Sequence, residues 1–114
     1  MPRDKSVTAN GGPAPLGDMH REVDWMVPAD EYILEFLASL HYRNKRVIQK
    51  PSSIGPNIGY GNRHTANRCS ALSKYGLLER HDDAAKYTIT DLGQRVVDNE
   101  ISPEELNAIE PAES

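Results

Sequence analysis

Proline and glycine cut this 114-residue chain into short pieces, so no helix or strand in it can be long. Pro28, Pro51 and Pro103 stand where helices can begin, because the fixed φ of proline suits the first helical position and its missing N–H costs nothing there. Gly59, Gly61 and Gly76 stand where helices can end. From Pro28, with Asp30 and Glu31 in the first turn, Ile33, Leu34, Leu37 and Leu40 form one apolar stripe and predict a helix. A polar hinge over 41–45 leads to Val47 and Ile48, a short β-prone stretch. Pro51-Ser52-Ser53 then opens a short helix ending near Asn57-Ile58, in a region punctuated by Pro56, Gly59 and Gly61. A third helix is predicted over about 62–75, with Thr65, Cys69 and Leu72 sharing a face and Gly76 as its stop. Residues 77–81 and 86–89 are β-prone runs joined by Asp82-Asp83-Ala84-Ala85, which is hairpin spacing. Thr90-Asp91 caps a helix carrying Leu92, Val96 and Val97. Ser102-Pro103-Glu104-Glu105 starts a last turn or two with Leu106 and Ile109.

Length and hydropathy fit one small domain. Residues 1 to about 18 mix Pro, Gly, Ser and charge and read as a flexible tail. Leu16, Met19, Val23 and Met26 allow a short amphipathic segment leading to Trp25. The expected division is a tail over 1–23, a folded domain over 24–101, and a short helix with a frayed end over 102–114. No long apolar run or signal-peptide pattern exists, so a cytoplasmic protein with no membrane contact is expected. Cys69 is the only cysteine and rules out an internal disulfide. A core this small would gain from a second subunit. Trp25, Met26, Ile101, Leu106 and Ile109 read as apolar side chains left over for a homodimer contact.

The net charge of −4 conceals a strong asymmetry. Residues 41–80 carry Arg43, Lys45, Arg46, Lys50, Arg63, Arg68, Lys74 and Arg80 against Glu79 alone, a balance of +7. The segments before and after it stand at −4 and −7. A basic block between acidic ends suits a polyanionic partner better than the total suggests.

The order helix, short strand, short helix, turn, helix, hairpin, helix is that of a winged helix-turn-helix: mainly α with a small β-hairpin (α+β). Residues 72–80 (LSKYGLLER) followed by 87–93 (YTITDLG) resemble a pattern recurrent in winged-helix transcription regulators. A narrower likeness rests on Asp24-Trp25-Met26, Pro28-Ala29-Asp30, residues 33–37 (ILEFL), Asn57-Ile58-Gly59-Tyr60, Arg68-Cys69 and residues 76–80 (GLLER). Over about 24–101 the chain resembles the haloarchaeal winged-helix proteins related to the halophage phi-H repressor. The resemblance implies a DNA-binding transcription regulator of archaeal type.

At about 100° per residue, a helix that buries Thr65, Cys69 and Leu72 turns Arg63, Asn67, Ser70, Ala71 and Lys74 to the opposite face, with His64 and Arg68 at its margins. Such a face suits a major groove: Arg can pair with guanine, Asn with adenine, and small Ser and Ala permit close approach. Asn62, at the start of this helix, joins the expected recognition set. Arg43, Lys45, Arg46 and Lys50 before the second helix, and Arg80 and Lys86 at the base of the wing, are expected to position the domain on phosphates. Asp82 and Asp83 at the hairpin tip would repel phosphate.

Other chemistries find little support. The glycine-rich stretch over 53–61 lacks the Gly-Lys-Ser/Thr ending of a P-loop. His20, His41, His64 and His81 show no metal-ligand spacing with one another or with Cys69, so no metal or cofactor is expected. Cys69 reads as a small core residue rather than a redox sensor. No nucleophile, base and orienting acid assemble by motif, so no enzyme is expected. The reading is a sequence-specific repressor acting as a homodimer on double-stranded DNA. The alternative is a winged-helix protein-protein interaction module of a transcription or virus-related assembly, which would expose an apolar patch on the third helix or the wing.

Overall fold

The structure, a computed structural model, describes residues 19–40, 45–81 and 85–112. The expected tail over 1–18, Arg43 in the hinge, and Asp82 and Asp83 in the hairpin turn lie outside the described residues. Helices α1 (Met19–Glu22), α2 (Pro28–Ser39), α3 (Pro51–Ile58) and α4 (Asn62–Lys74) come first. The hairpin β1 (Leu78–His81) and β2 (Lys86–Ile89) follows, then α5 (Asp91–Val97) and α6 (Pro103–Asn107). This is the expected winged helix-turn-helix order.

Helix ends follow local chemistry. Pro51 and Pro103 start α3 and α6, and Ser102 and Glu105 form a reciprocal cap in which each backbone N–H donates to the other's side chain at 3.1 Å. Thr90 caps α5 by accepting from the Gly93 N–H at 3.1 Å. At the end of α4, Gly76 (φ 85°) turns left-handed. Leu77 N–H then reaches Leu72 O at 3.0 Å and Gly76 N–H reaches Ser73 O at 3.1 Å, which reverses the chain into the wing. Helix α3 ends at Ile58, as expected. Pro56 lies inside α3, and the stop comes at Gly59 (φ 81°).

The hairpin is antiparallel, in the register Leu78↔Ile89, Glu79↔Thr88, Arg80↔Tyr87 and His81↔Lys86. The expected strand at Val47-Ile48 does not form, and the segment instead makes a bridge at Gln49, whose N–H and C=O both pair with Tyr87 at 2.8 Å. Pro51, with no N–H to offer, cannot extend the ladder. That bridge still ties the segment before α3 to the base of the wing.

Ile33, Leu34, Leu37, Ile54, Cys69, Leu72, Leu77, Leu78, Ile89 and Val96 form the centre of the core. The packed region extends beyond 24–101 at both ends. Met19, Val23 and Met26 are buried on one side, Ile101 and Leu106 on the other, and Trp25 and Ile109 pack against them. The apolar residues expected to be left for a second subunit are therefore consumed within this one. Asn107 fastens the two ends together. Its side chain accepts from Asp24 N–H at 2.8 Å and donates to Glu22 O at 2.9 Å. Glu31, buried on α2, accepts from the backbone N–H of His20 at 3.1 Å and also pairs with the His20 ring, anchoring α1.

Candidate nucleic-acid interface

Close approach of α3 and α4 is set by Gly55. A Cβ built there would lie 2.7 Å from Tyr60 O and 3.0 Å from Thr65 Oγ1, so any larger residue would push the two helices apart. Helix α4 then buries Thr65, Cys69 and Leu72. Asn62, Arg63, His64, Asn67 and Lys74 are exposed, and Ser70 and Ala71 are half-buried beside them. The His64 ring sits 5.4 Å from that of Tyr60, which in turn lies 6.2 Å from Tyr32 on α2. Among the described residues, α4 thus presents a polar, uncrowded outer face, with aromatic rings grouped beside its first turn.

Arg68 is placed differently from the other recognition candidates. Its Nε donates to Asp30 Oδ1 and its Nη2 to Asp30 Oδ2, both at 2.8 Å, and Nη2 also donates to Trp25 O at 3.0 Å. Asp30 is fully buried, and its Oδ2 also accepts from Val27 N–H at 3.1 Å, starting α2. The bond to the Asp30 carboxylate raises the pKa of the guanidinium above its ordinary value, against the opposing effect of burial. With these hydrogen bonds directed inward, Arg68 is turned away from the outer face of α4. Its angle of roughly 70° from the buried stripe, at 3.6 residues per turn, already pointed to a flank.

At the other end of α4, Tyr75 stacks on Trp25 with ring centroids 3.9 Å apart and planes within 9°. The Trp25 Nε1–H donates to Leu106 O at 3.0 Å, and Ala112 N–H donates to Lys74 O at 2.7 Å. Trp25 and the segment from Leu106 to Ala112 therefore meet at the C-terminal end of α4. Sequence reasoning missed Asp30, Trp25 and Tyr75 as its supports. The one available signal was the pairing of an acid in the first turn of α2 with an arginine flanking the α4 stripe.

The expected phosphate contacts divide. Lys45, Arg46 and Lys50 are exposed, but Arg46 also pairs with Asp91 on α5 at 2.7 Å. Lys50 immediately precedes α3 and lines two depressions. One, of about 450 Å³, is shared with Ile48, Gln49, Ser53, His81 and Lys86. The other, of about 300 Å³, is shared with Pro51, Ser52, Asn62, Ala66 and Ala85, so it runs between α3, the first turns of α4 and the wing turn. Arg80 is exposed on β1 and Lys86 is half-buried on β2. Of these cations, Lys50 borders the first turns of α4.

Cys69 is fully buried, and burial, helped by the negative charge of Asp30, pushes its thiol up to about 12. A thiol so placed is inert at neutral pH. Among the described residues no three of His, Cys, Asp or Glu converge as a metal site, and no helix is long and apolar enough to cross a membrane.

Comparison with known proteins matches residues 19–109 to the family model of the winged helix-turn-helix phage repressor. The chain belongs to that family. It is 38% identical over 90 residues to the repressor protein of Halobacterium phage phiH, covering 77% of this chain and 97% of that protein. No solved structure matches. Membership makes this protein a DNA-binding repressor.

Proposed function

We propose that the protein represses transcription by laying the exposed face of α4 in the major groove of double-stranded DNA. Arg63 and Asn67 are its principal base-reading side chains, Asn62, His64 and Lys74 lie around them, and Ser70 and Ala71 allow close approach. The observation that carries this reading is the contrast across α4: a buried stripe of Thr65, Cys69 and Leu72 opposite an outer face of exposed Arg63, Asn67 and Lys74. Lys45, Lys50, Arg80 and Lys86 supply phosphate contacts on either side, and Arg46 contributes when released from Asp91. The protein works by binding alone, in the cytoplasm, without a cofactor. A protein-protein module would display apolar surface on α4 or the wing. Among the described residues the large exposed apolar side chains are Tyr32 and Ile48, which lie on neither.

A homodimer on a partly palindromic site completes the proposal. One recognition helix reads only a few base pairs, and a second copy a helical turn away doubles that reading. Sedimentation at micromolar concentration, with and without DNA, tests this part, and a monomer under both conditions removes the palindrome. The α4 reading is tested by Arg63→Ala and Asn67→Ala. Each should cost about 1–3 kcal/mol on the preferred site and relax choice at one base position. Unchanged binding in both, with the fold intact by circular dichroism, removes α4 as the reader.

A further inference from the structure

We infer that Arg68 is a positioning residue: its fork onto Asp30 fixes the rotation of α4 about its own axis and so decides which side chains face the bases. This rests on the reading that α4 lies in the groove.

The side chains of the buried α4 stripe make no described hydrogen bond to a neighbouring helix. Cys69 and Leu72 are held by apolar packing, which is non-directional. The buried Thr65 hydroxyl donates at 2.9 Å to Gly61 O at the start of the same helix, so it does not tie α4 to a neighbour. The Arg68 guanidinium is different. Two parallel N–H bonds of 2.8 Å meet both oxygens of one carboxylate, and a third bond of 3.0 Å reaches the Trp25 backbone. Planar bidentate pairing tolerates little rotation. Asp30 cannot shift to follow a moving partner, because the same carboxylate holds Val27 N–H at the start of α2.

The lever is large enough to matter. With side chains about 5–6 Å from the helix axis, a rotation of roughly 20° moves their tips by about 2 Å. That displacement breaks a base-edge hydrogen bond, whose donor-acceptor distance must stay near 2.7–3.2 Å. Stability does not by itself account for an ion pair here, since buried pairs can often be replaced by uncharged residues at little cost.

The test uses the full chain with two duplexes: one selected by the wild-type protein from a randomised pool, and one unselected. Removing Arg68 alone would leave the buried Asp30 charge uncompensated and could unfold the domain. The informative variants are therefore the neutral pair Asp30→Asn/Arg68→Met, in which asparagine can still accept from Val27 N–H, and Arg68→Lys, which keeps the charge and loses the fork. Emission from Trp25, the sole tryptophan, reports whether the surrounding packing survives. Both variants should lower the ratio of selected to unselected affinity at least ten-fold, with unselected affinity and salt slope held at wild-type values. If the neutral pair fails to fold, Arg68→Lys carries the same comparison. A folded variant with wild-type discrimination overturns the inference. So does a parallel loss on both duplexes with a salt slope lower by about one unit, which would mean that Arg68 touches phosphate directly. Arg63→Ala and Asn67→Ala run alongside. If they lower discrimination and the Arg68 variants do not, positioning alone fails; if they leave it unchanged, the α4 reading fails with it.

Discussion

Replacing Gly93 with alanine sets helix propensity against packing, and the two differ in sign. Gly93 lies in the first turn of α5, where alanine should gain up to about 1 kcal/mol from propensity alone. A Cβ there would sit 2.3 Å from Leu77 O and 2.7 Å from Ile89 Cγ1. Ordinary contact begins near 3.4 Å, so α5 would have to retreat from the wing by about 1 Å. Leu77 O accepts from Thr90 N–H at 3.1 Å and from Thr90 Oγ1 at 3.0 Å, and the retreat strains both bonds together with the Thr90 cap on Gly93 N–H. Overpacking costs about 1–3 kcal/mol and each weakened hydrogen bond roughly 0.5–1.5 kcal/mol. Less the propensity gain, overpacking and three weakened bonds leave a net loss of at least about 1.5 kcal/mol. For a domain of this size that lowers Tm by at least roughly 6 °C, readable by circular dichroism at 222 nm. An alanine variant as stable as wild type, or more so, would refute the account of how α5 seats on the wing.

Cys69→Ala should cost about 1–2 kcal/mol through lost packing and leave DNA binding insensitive to mild peroxide, as tested by gel shift. Release of the wild-type protein by peroxide, with the variant still bound, would refute the inert-thiol reading. The thiol also makes an alkaline prediction: with a folded pKa of about 12 against about 8.5 unfolded, only the unfolded state loses the proton between these values. Stability should therefore fall as pH rises above about 8.5, by up to about 1.4 kcal/mol per unit, and the difference between wild type and Cys69→Ala in urea melts isolates this share. Lys45→Ala should weaken all DNA sequences alike and lower the salt slope by about one unit, and a sequence-dependent loss would place Lys45 on a base. Asp82→Asn with Asp83→Asn should tighten binding without altering the preferred sequence in a selection from random duplexes, whereas weaker binding would mean that the acids shape the wing.

Much of the fold was legible in the sequence because it rests on short-range rules. Prolines at helix starts, left-handed glycines at helix ends, the Ser102–Glu105 cap and the buried stripe of α4 act within a turn or two of chain, so their signals survive without tertiary knowledge. The basic block over 41–80 was equally plain, since charge is carried by residue type. What only the tertiary structure decided are the contacts between residues far apart in the chain. Arg68 lies 38 positions from Asp30, and that separation turned a candidate base contact into an inward-facing support. Trp25 meets Leu106 across 81 positions, which folds the apolar residues of both ends onto one subunit where the sequence suggested two. Residue type and spacing say which groups need a partner. When a fold buries two such groups side by side, leaving either one unpaired there costs far more than pairing them, and which groups meet is decided in three dimensions.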